Sequence, residues 1–378
     1  MRPECPHRPP CPGCPRFGEP DIAPDAAAAL ATLARQHGIH AVPMIAGSTS
    51  GFRLRARLAI RGRVGSPKIG LFEADSHRVV HIPNCSVHHP LINRVAAIVR
   101  RAIAETRLSC YSDRAHLGLL RYLQVVVERS SQTAQVVLVA NCEGPEPLEP
   151  LFALIAERLG AELHSLWFNA NCTASNTILG PDFHRWSGPA SVVERFAGAA
   201  VHYPPAAFGQ NNLEIADRIV AHVGSLVPAG ARVAEFYAGV GAIGLSLASK
   251  VGELRMNEIS AESLRGLELG LAQLETSTRA KCSVLAGAAG AAHAAAKDVD
   301  IVIADPPRKG LDAELTAYLS EHPPQRLVYV SCGLESLLED SRALTARGKL
   351  RLAALQAFNL MPFTEHVETV ACFERSAS

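Results

Sequence analysis

After residue 205 the chain alternates short apolar runs with amphipathic ones, and few folds accept that pattern. Helical runs at 211–225, 242–250, 260–275 and 311–320 separate strand-like runs at 232–237, 253–257, 299–304 and 326–331. Strands joined through helices cannot pair as simple hairpins, so they run parallel and are covered by helices on both faces. The fold class expected is therefore α/β, with a mainly parallel, Rossmann-like C-terminal domain over 204–378 and a last strand pair at 350–358 and 366–374.

The N-terminal half has a different pattern. Strand-like runs at 121–128 and 134–140 lie among helical runs at 90–106 and 148–159, which predicts a central α+β domain over 46–203. Near its start Leu54, Ala56, Leu58 and Ile60 alternate with Arg53, Arg55, Arg57 and Arg61. A period of two predicts a half-buried strand with a basic outer face, whose side chains can neutralise phosphates. Residues 1–45 combine a segment rich in Pro, Cys and Gly with a helix at 24–37 that has Asp25 near its start.

Composition sets limits rather than a function. With 48% hydrophobic and 19% charged residues, 378 residues can bury a real core, and a net charge of +1 says nothing for or against a polyanionic partner. No apolar run reaches the roughly 18–20 residues a membrane span needs, and the opening residues do not resemble a signal peptide. No membrane partner is expected, the expected compartment is the cytoplasm, and a monomer is the default. In that compartment clustered cysteines hold metal or do chemistry more often than they pair. Cys5, Cys11 and Cys14 crowd the first fourteen residues of a chain with ten cysteines.

The first strand of the C-terminal domain runs into Gly239, Gly241 and Gly244 and then a helix. Glycines there let the backbone approach a ligand closely, and Glu258 at the next strand end is placed to hold ribose hydroxyls. This G-x-G-x-x-G spacing fits a nicotinamide dehydrogenase equally well. After the strand 299–304 comes Asp305-Pro306-Pro307-Arg308-Lys309-Gly310, at the carboxyl edge where open α/β sheets place their sites. Amino-group methyltransferases carry an aromatic where Arg308 stands, and cytosine-C5 RNA methyltransferases need a cysteine in this loop. Chemistry on a uracil remains.

Cys332 follows the next strand, again at the carboxyl edge. Uracil C5 is a poor nucleophile until a thiolate adds to C6, and a low-pKa thiol beside Arg308 or Lys309 suits that step. Expelling the thiolate later requires a base for the C5 proton. His366 and Glu368, two apart and expected on one strand face, supply candidates, with Glu368 preferred.

These segments together resemble the RNA uracil-C5 methyltransferase family, whose members modify transfer RNA or large-subunit ribosomal RNA. The likeness rests on Phe208-x-Gln210-x-Asn212, the turn from Glu235 to Gly241, Glu258, the DPPRKG loop, Ser331-Cys332 and the tail PFTEHVE. It implies an S-adenosylmethionine site lined by Gln210, Tyr237, Gly239, Glu258 and Asp305, with Cys332 as nucleophile and Glu368 as base. It also implies that Cys85 joins Cys5, Cys11 and Cys14 as ligands of a [4Fe–4S] cluster, with zinc in the same thiolates as the alternative. The arrangement is similar to the ribosomal RNA branch that lacks a leading β-barrel, with transfer RNA as the other substrate. Three departures bear on affinity and substrate choice: Gly333 in place of Asn, AGAAG in place of an adenine-side Asp after 283–286, and Phe363 in place of His. A non-catalytic RNA-binding or assembly protein and a dinucleotide oxidoreductase are the rival readings. The latter leaves Cys332 and the clustered cysteines without a role.

Overall fold

A computed structural model describes residues 5–175 and 177–376. Its C-terminal sheet has eight strands in the order Met44–Ile45, Leu350–Phe358, Glu368–Arg375, Arg326–Ser331, Ile301–Ala304, Arg232–Phe236, Glu253–Glu258 and Cys282–Ala286. Only Glu368–Arg375 runs antiparallel to its neighbours. From Arg232–Phe236 the chain winds outward through Glu253–Glu258 to Cys282–Ala286, then returns to Ile301–Ala304 on the other side. That reversal opens a crevice between Arg232–Phe236 and Ile301–Ala304 at their carboxyl ends. The expected strands are present. The helix expected at 242–250 ends at Leu247, that at 260–275 ends at Leu271, and a helix at Leu334–Thr345 adds to those expected.

The central sheet has seven strands in the order Val79–His81, Ser66–Phe72, Arg55–Arg63, Leu120–Glu128, Thr133–Ala140, Leu163–Ala170 and Asp182–Ser187. Helix Glu149–Leu159 forms the crossover that makes Thr133–Ala140 and Leu163–Ala170 parallel, and helix Pro90–Thr106 packs beside it. A hairpin of Val192–Phe196 and Ala199–Tyr203 contacts the central strand Leu120–Glu128 on one side and helices Ala242–Leu247 and Ala261–Leu271 on the other. One apolar core runs through this contact from Leu123 and Val125 to Phe196, Leu245 and Met256. The opposite face of the C-terminal sheet buries Leu30 and Leu33 of helix Pro24–Gln36 with Phe236, Leu315 and Leu337. Helix Pro24–Gln36 and strand Met44–Ile45 are thus built onto the C-terminal sheet.

The basic strand face is corrected by its surroundings. Arg61 is buried, paired with Asp113 at 2.6 Å and stacked near the rings of Phe72, Tyr111 and Tyr122. Arg55 lies 4.4 Å from the Tyr203 ring centroid and donates to Ala207 O, and burial pushes its guanidinium down to about 10. Arg57 stays exposed while donating to Gln124 Oε1 at 2.7 Å. Period two correctly puts these side chains on one face, but Arg55 packs against the hairpin and the segment after it and Arg61 against Asp113 and three aromatic rings, which leaves Arg57 as the exposed one of the three.

Candidate active site

The glycine turn is shaped by three successive demands. Tyr237, Gly239 and Gly241 all hold positive φ, at 59°, 58° and 85°, and helix Ala242–Leu247 starts at once. At Gly239 this conformation is free of steric cost, whereas at Tyr237 it costs on the order of 1–3 kcal/mol. Tyr237 is held there through its hydroxyl, which accepts from Asp312 N–H at 2.9 Å. Gly244 serves packing: a Cβ would lie 2.1 Å from Oε2 of Glu235, a buried carboxyl that burial pushes up to about 8.

Glu258 closes the turn from the next strand. Its carboxylate accepts from Gly239 N–H at 2.8 Å, Ile259 N–H at 2.9 Å and Ser260 N–H at 2.6 Å. Beside it the crevice is open, since a Cβ on Gly239 or Gly287 would meet nothing within 4 Å. Ile259 is 68% exposed and Phe208 71%, both among the large apolar side chains left bare. Ile259 was missed in the sequence, although its place directly after the strand-end acid was a usable signal. Gln210 is half-buried, and Asn212 caps helix Leu213–Ser225 while donating to Leu360 O at 3.1 Å. The F-x-Q-x-N segment therefore fastens the tail to the crevice domain. In place of an adenine-side Asp, the AGAAG loop offers Gly290 N–H to Asp312 Oδ2 at 3.1 Å.

Asp305, Cys332 and Glu368 come together across adjacent strand ends. Strands Ile301–Ala304, Arg326–Ser331 and Glu368–Arg375 are consecutive neighbours, so residues just beyond or at their ends share one edge. Glu368 is only 4% exposed and its Oε1 has no hydrogen-bond partner among the described residues. Burial, then the neighbouring Asp305, push its carboxyl well above the usual range, and Arg308 opposes them. Burial likewise raises Asp305 to about 7. Cys332 departs from expectation: burial, followed by Glu368 and Asp305, pushes its thiol up to about 11, and Arg308 offsets only part of that. His366 also differs from expectation. The strand starts at Glu368, so His366 lies before it, exposed and 3.1 Å from Arg308 Nη2, while Glu368 points inward.

Gly333 explains one departure. A Cβ there would lie 2.7 Å from Arg308 O, so the missing side chain lets the DPPRKG loop close against the turn carrying Cys332.

The tRNA (Uracil-5-)-methyltransferase family description matches residues 293–376, which hold Asp305, Cys332 and Glu368. An RNA methyltransferase of Protochlamydia amoebophila is 36% identical over 335 residues, covering 87% of each chain. The chain belongs to the RNA uracil-C5 methyltransferase family. Another relative, the 23S rRNA (uracil(747)-C(5))-methyltransferase of Xenorhabdus nematophila, is 28% identical with 88% of each chain covered. The crystal structure of the Pyrococcus abyssi tRNA (uracil-54, C5)-methyltransferase in complex with S-adenosyl-L-homocysteine superposes with a TM-score of 0.78 at 23% identity, over 97% of this chain and 86% of that one, and so shares its fold.

In this RNA uracil-C5 methyltransferase family member, Cys5, Cys11, Cys14 and Cys85 line one cavity of about 160 Å³ with His7, Arg53 and His88. His7 Nε2 and His88 Nδ1 have no partner there, and burial, then the Cys85 thiol, push Cys14 up to about 11. Among the described residues no three His, Cys, Asp or Glu side chains close in on a single-ion position. The cysteine segment rests on the tail that precedes Glu368: Arg16 N–H donates to Phe363 O at 3.0 Å, and the Phe17 and Phe363 rings lie 5.0 Å apart. No helix is long and apolar enough to cross a membrane among the described residues.

Proposed function

We propose that the chain methylates C5 of a uracil in ribosomal RNA with S-adenosylmethionine as methyl donor, Cys332 as nucleophile and Glu368 as base. The convergence of Cys332, Glu368, Asp305 and Arg308 at the carboxyl edge of the sheet carries this reading. The likeness to the Xenorhabdus 23S enzyme, 28% identical with 88% of each chain covered, is the ground for taking ribosomal RNA as substrate. S-adenosylmethionine is assigned to the crevice at Gly239, lined by Gln210, Tyr237, Gly239, Glu258 and Asp305. The open space beside Gly239 and the Pyrococcus structure bound to S-adenosyl-L-homocysteine support that assignment.

The chemistry follows from the ring. Cys332 Sγ adds to C6, C5 gains nucleophilic character and takes the methyl group, Glu368 accepts the C5 proton, and Sγ leaves as the C5–C6 double bond returns. A carboxyl held above its usual range is a stronger base than an exposed one once ionised, which suits Glu368. As functional units, 204–378 performs transfer, 46–203 receives RNA, and 1–45 supplies the cysteine segment.

Glu368→Gln mixed with substrate RNA and S-adenosylmethionine should yield a methylated RNA adduct that survives denaturation, and Cys332→Ala should yield none. An adduct formed equally by Cys332→Ala would move the nucleophile elsewhere, and full turnover by Glu368→Gln would pass the base role to another group.

We assign a [4Fe–4S] cluster to the cavity lined by Cys5, Cys11, Cys14 and Cys85, on the ground of its four thiol donors. A zinc ion, with Zn–S of about 2.3 Å, would need those sulfurs drawn together around one point. The cluster would act as a structural link, because methyl transfer moves no electron. Protein purified without oxygen should be brown, absorb near ~400 nm and hold about four iron atoms per chain, with iron lost in Cys85→Ala. A colourless protein with one zinc would overturn the assignment.

A further inference from the structure

Two strands of the central sheet end in the same three residues. Ala140-Asn141-Cys142 closes Thr133–Ala140, and Ala170-Asn171-Cys172 closes Leu163–Ala170. These strands are parallel and in a register that sets Ala140 opposite Ala170. Asn171 N–H donates to Ala140 O at 2.8 Å, the bond that makes this last pair. Cys142 and Cys172 each follow two residues after this last pair, where the two chains lie about 4.8 Å apart. A disulfide spans Cα separations of about 4.4–6.8 Å.

The backbone at both positions is held. Asn141 N–H donates to Leu119 O at 2.7 Å and its side-chain amide to Gly118 O at 3.1 Å. Arg121, fully buried, donates to Asn171 O at 2.7 Å and Thr173 O at 2.5 Å, on either side of Cys172. Cys172 is exposed, whereas Cys142 is half-buried with its thiol donating to Gly144 O at 3.2 Å. Burial, then the Cys172 thiol, push Cys142 up to about 11, in keeping with two sulfurs that lie in each other's field.

We propose that Cys142 and Cys172 form a redox pair that closes to a disulfide on meeting a small-molecule disulfide of the oxidised-glutathione type. The exposed Cys172 thiolate attacks one sulfur of that disulfide, releases one glutathione thiol and becomes a mixed disulfide. Cys142 then displaces the second glutathione. Two protein thiols are oxidised, one small disulfide is reduced to two thiols, and the two protein protons end on those thiols. The bond ties the turn after residue 141 to the segment after 171, and it involves neither Cys332 nor the cysteines of the N-terminal cavity.

The sequence makes the test direct. Cleavage after Arg129, Arg158 and Arg185 releases peptides 130–158 and 159–185, each with one cysteine. Full-length protein should be treated with oxidised glutathione without oxygen, alkylated, digested without reductant and mapped by mass spectrometry. The two peptides should appear joined, lighter than their sum by two hydrogens, and separate on adding dithiothreitol. In Cys142→Ser, peptide 159–185 should instead retain one glutathione. Recovery of both peptides free, each with its own glutathione, or with Cys172 joined to another cysteine would overturn the proposal. The wild-type map needs no variant to fold.

Discussion

Cys332 is asked to be a nucleophile in a place that disfavours its anion. With burial and two carboxyl neighbours pushing its thiol up to about 11, only a small minority of molecules carries the thiolate at neutral pH. Arg308 is the neighbouring cation that stabilises that anion. Alkylation of Cys332 by iodoacetamide, followed peptide by peptide, should therefore rise about tenfold per pH unit between pH 7 and 10. Arg308→Ala removes the stabilising cation, so it should slow alkylation at every pH in that window. A rate independent of pH above 7 would mean the thiolate is already formed. The residue types at 305, 308, 332 and 368 were legible in sequence. Their ionisation was not, because the apolar packing around them, which sets the penalty on charge, is supplied by other strands.

At the scale of elements, Gly333 decides how close the DPPRKG loop comes to the Cys332 turn. Asn at this position would place Cβ 2.7 Å from Arg308 O and 2.7 Å from Ser336 Oγ. Overpacking of this kind costs about 1–3 kcal/mol, so Gly333→Asn should melt a few degrees lower. By moving Arg308 outward it should also slow Cys332 alkylation, as Arg308→Ala does. A variant unchanged in both measurements would show the loop has slack. The basic strand shows why element-level reading stops where it does. Alternation identified the residues that share a face, but whether that face met RNA or protein depended on the segment from Tyr203 to Gly209, about 150 residues away in the chain. For His366 and Glu368 the spacing was sound and the strand boundary was not, since pairing begins only at Glu368.

At the scale of the whole molecule, a half-buried ionic junction links the central sheet to the crevice domain. Arg129, just past strand Leu120–Glu128, reaches Glu194 of the hairpin at 2.7 Å and Asp217 of helix Leu213–Ser225 at 2.5 Å. The Glu194 side chain is 4% exposed, so Arg129→Ala would strand a carboxylate without its cation. The expected loss is about 3 kcal/mol, at the low end for a broken buried pair because Arg129 itself reaches solvent. Urea unfolding should show it as a lower midpoint in a single transition, since one apolar core spans both sheets. An unchanged midpoint would reduce the junction to a surface pair. What the sequence determined by itself was the local chemistry: the parallel alternation after residue 205, the glycine turn, the strand-end Asp305 and Cys332, and the spacing of the N-terminal cysteines. Each is set by a few neighbouring residues through backbone geometry and side-chain type. Only the tertiary structure decided that helix Pro24–Gln36 joins the C-terminal sheet, that Arg55 and Arg61 turn inward, and that Glu368 sits buried beside Asp305. Those outcomes depend on which distant surfaces exclude water from one another, and no local pattern carries that information.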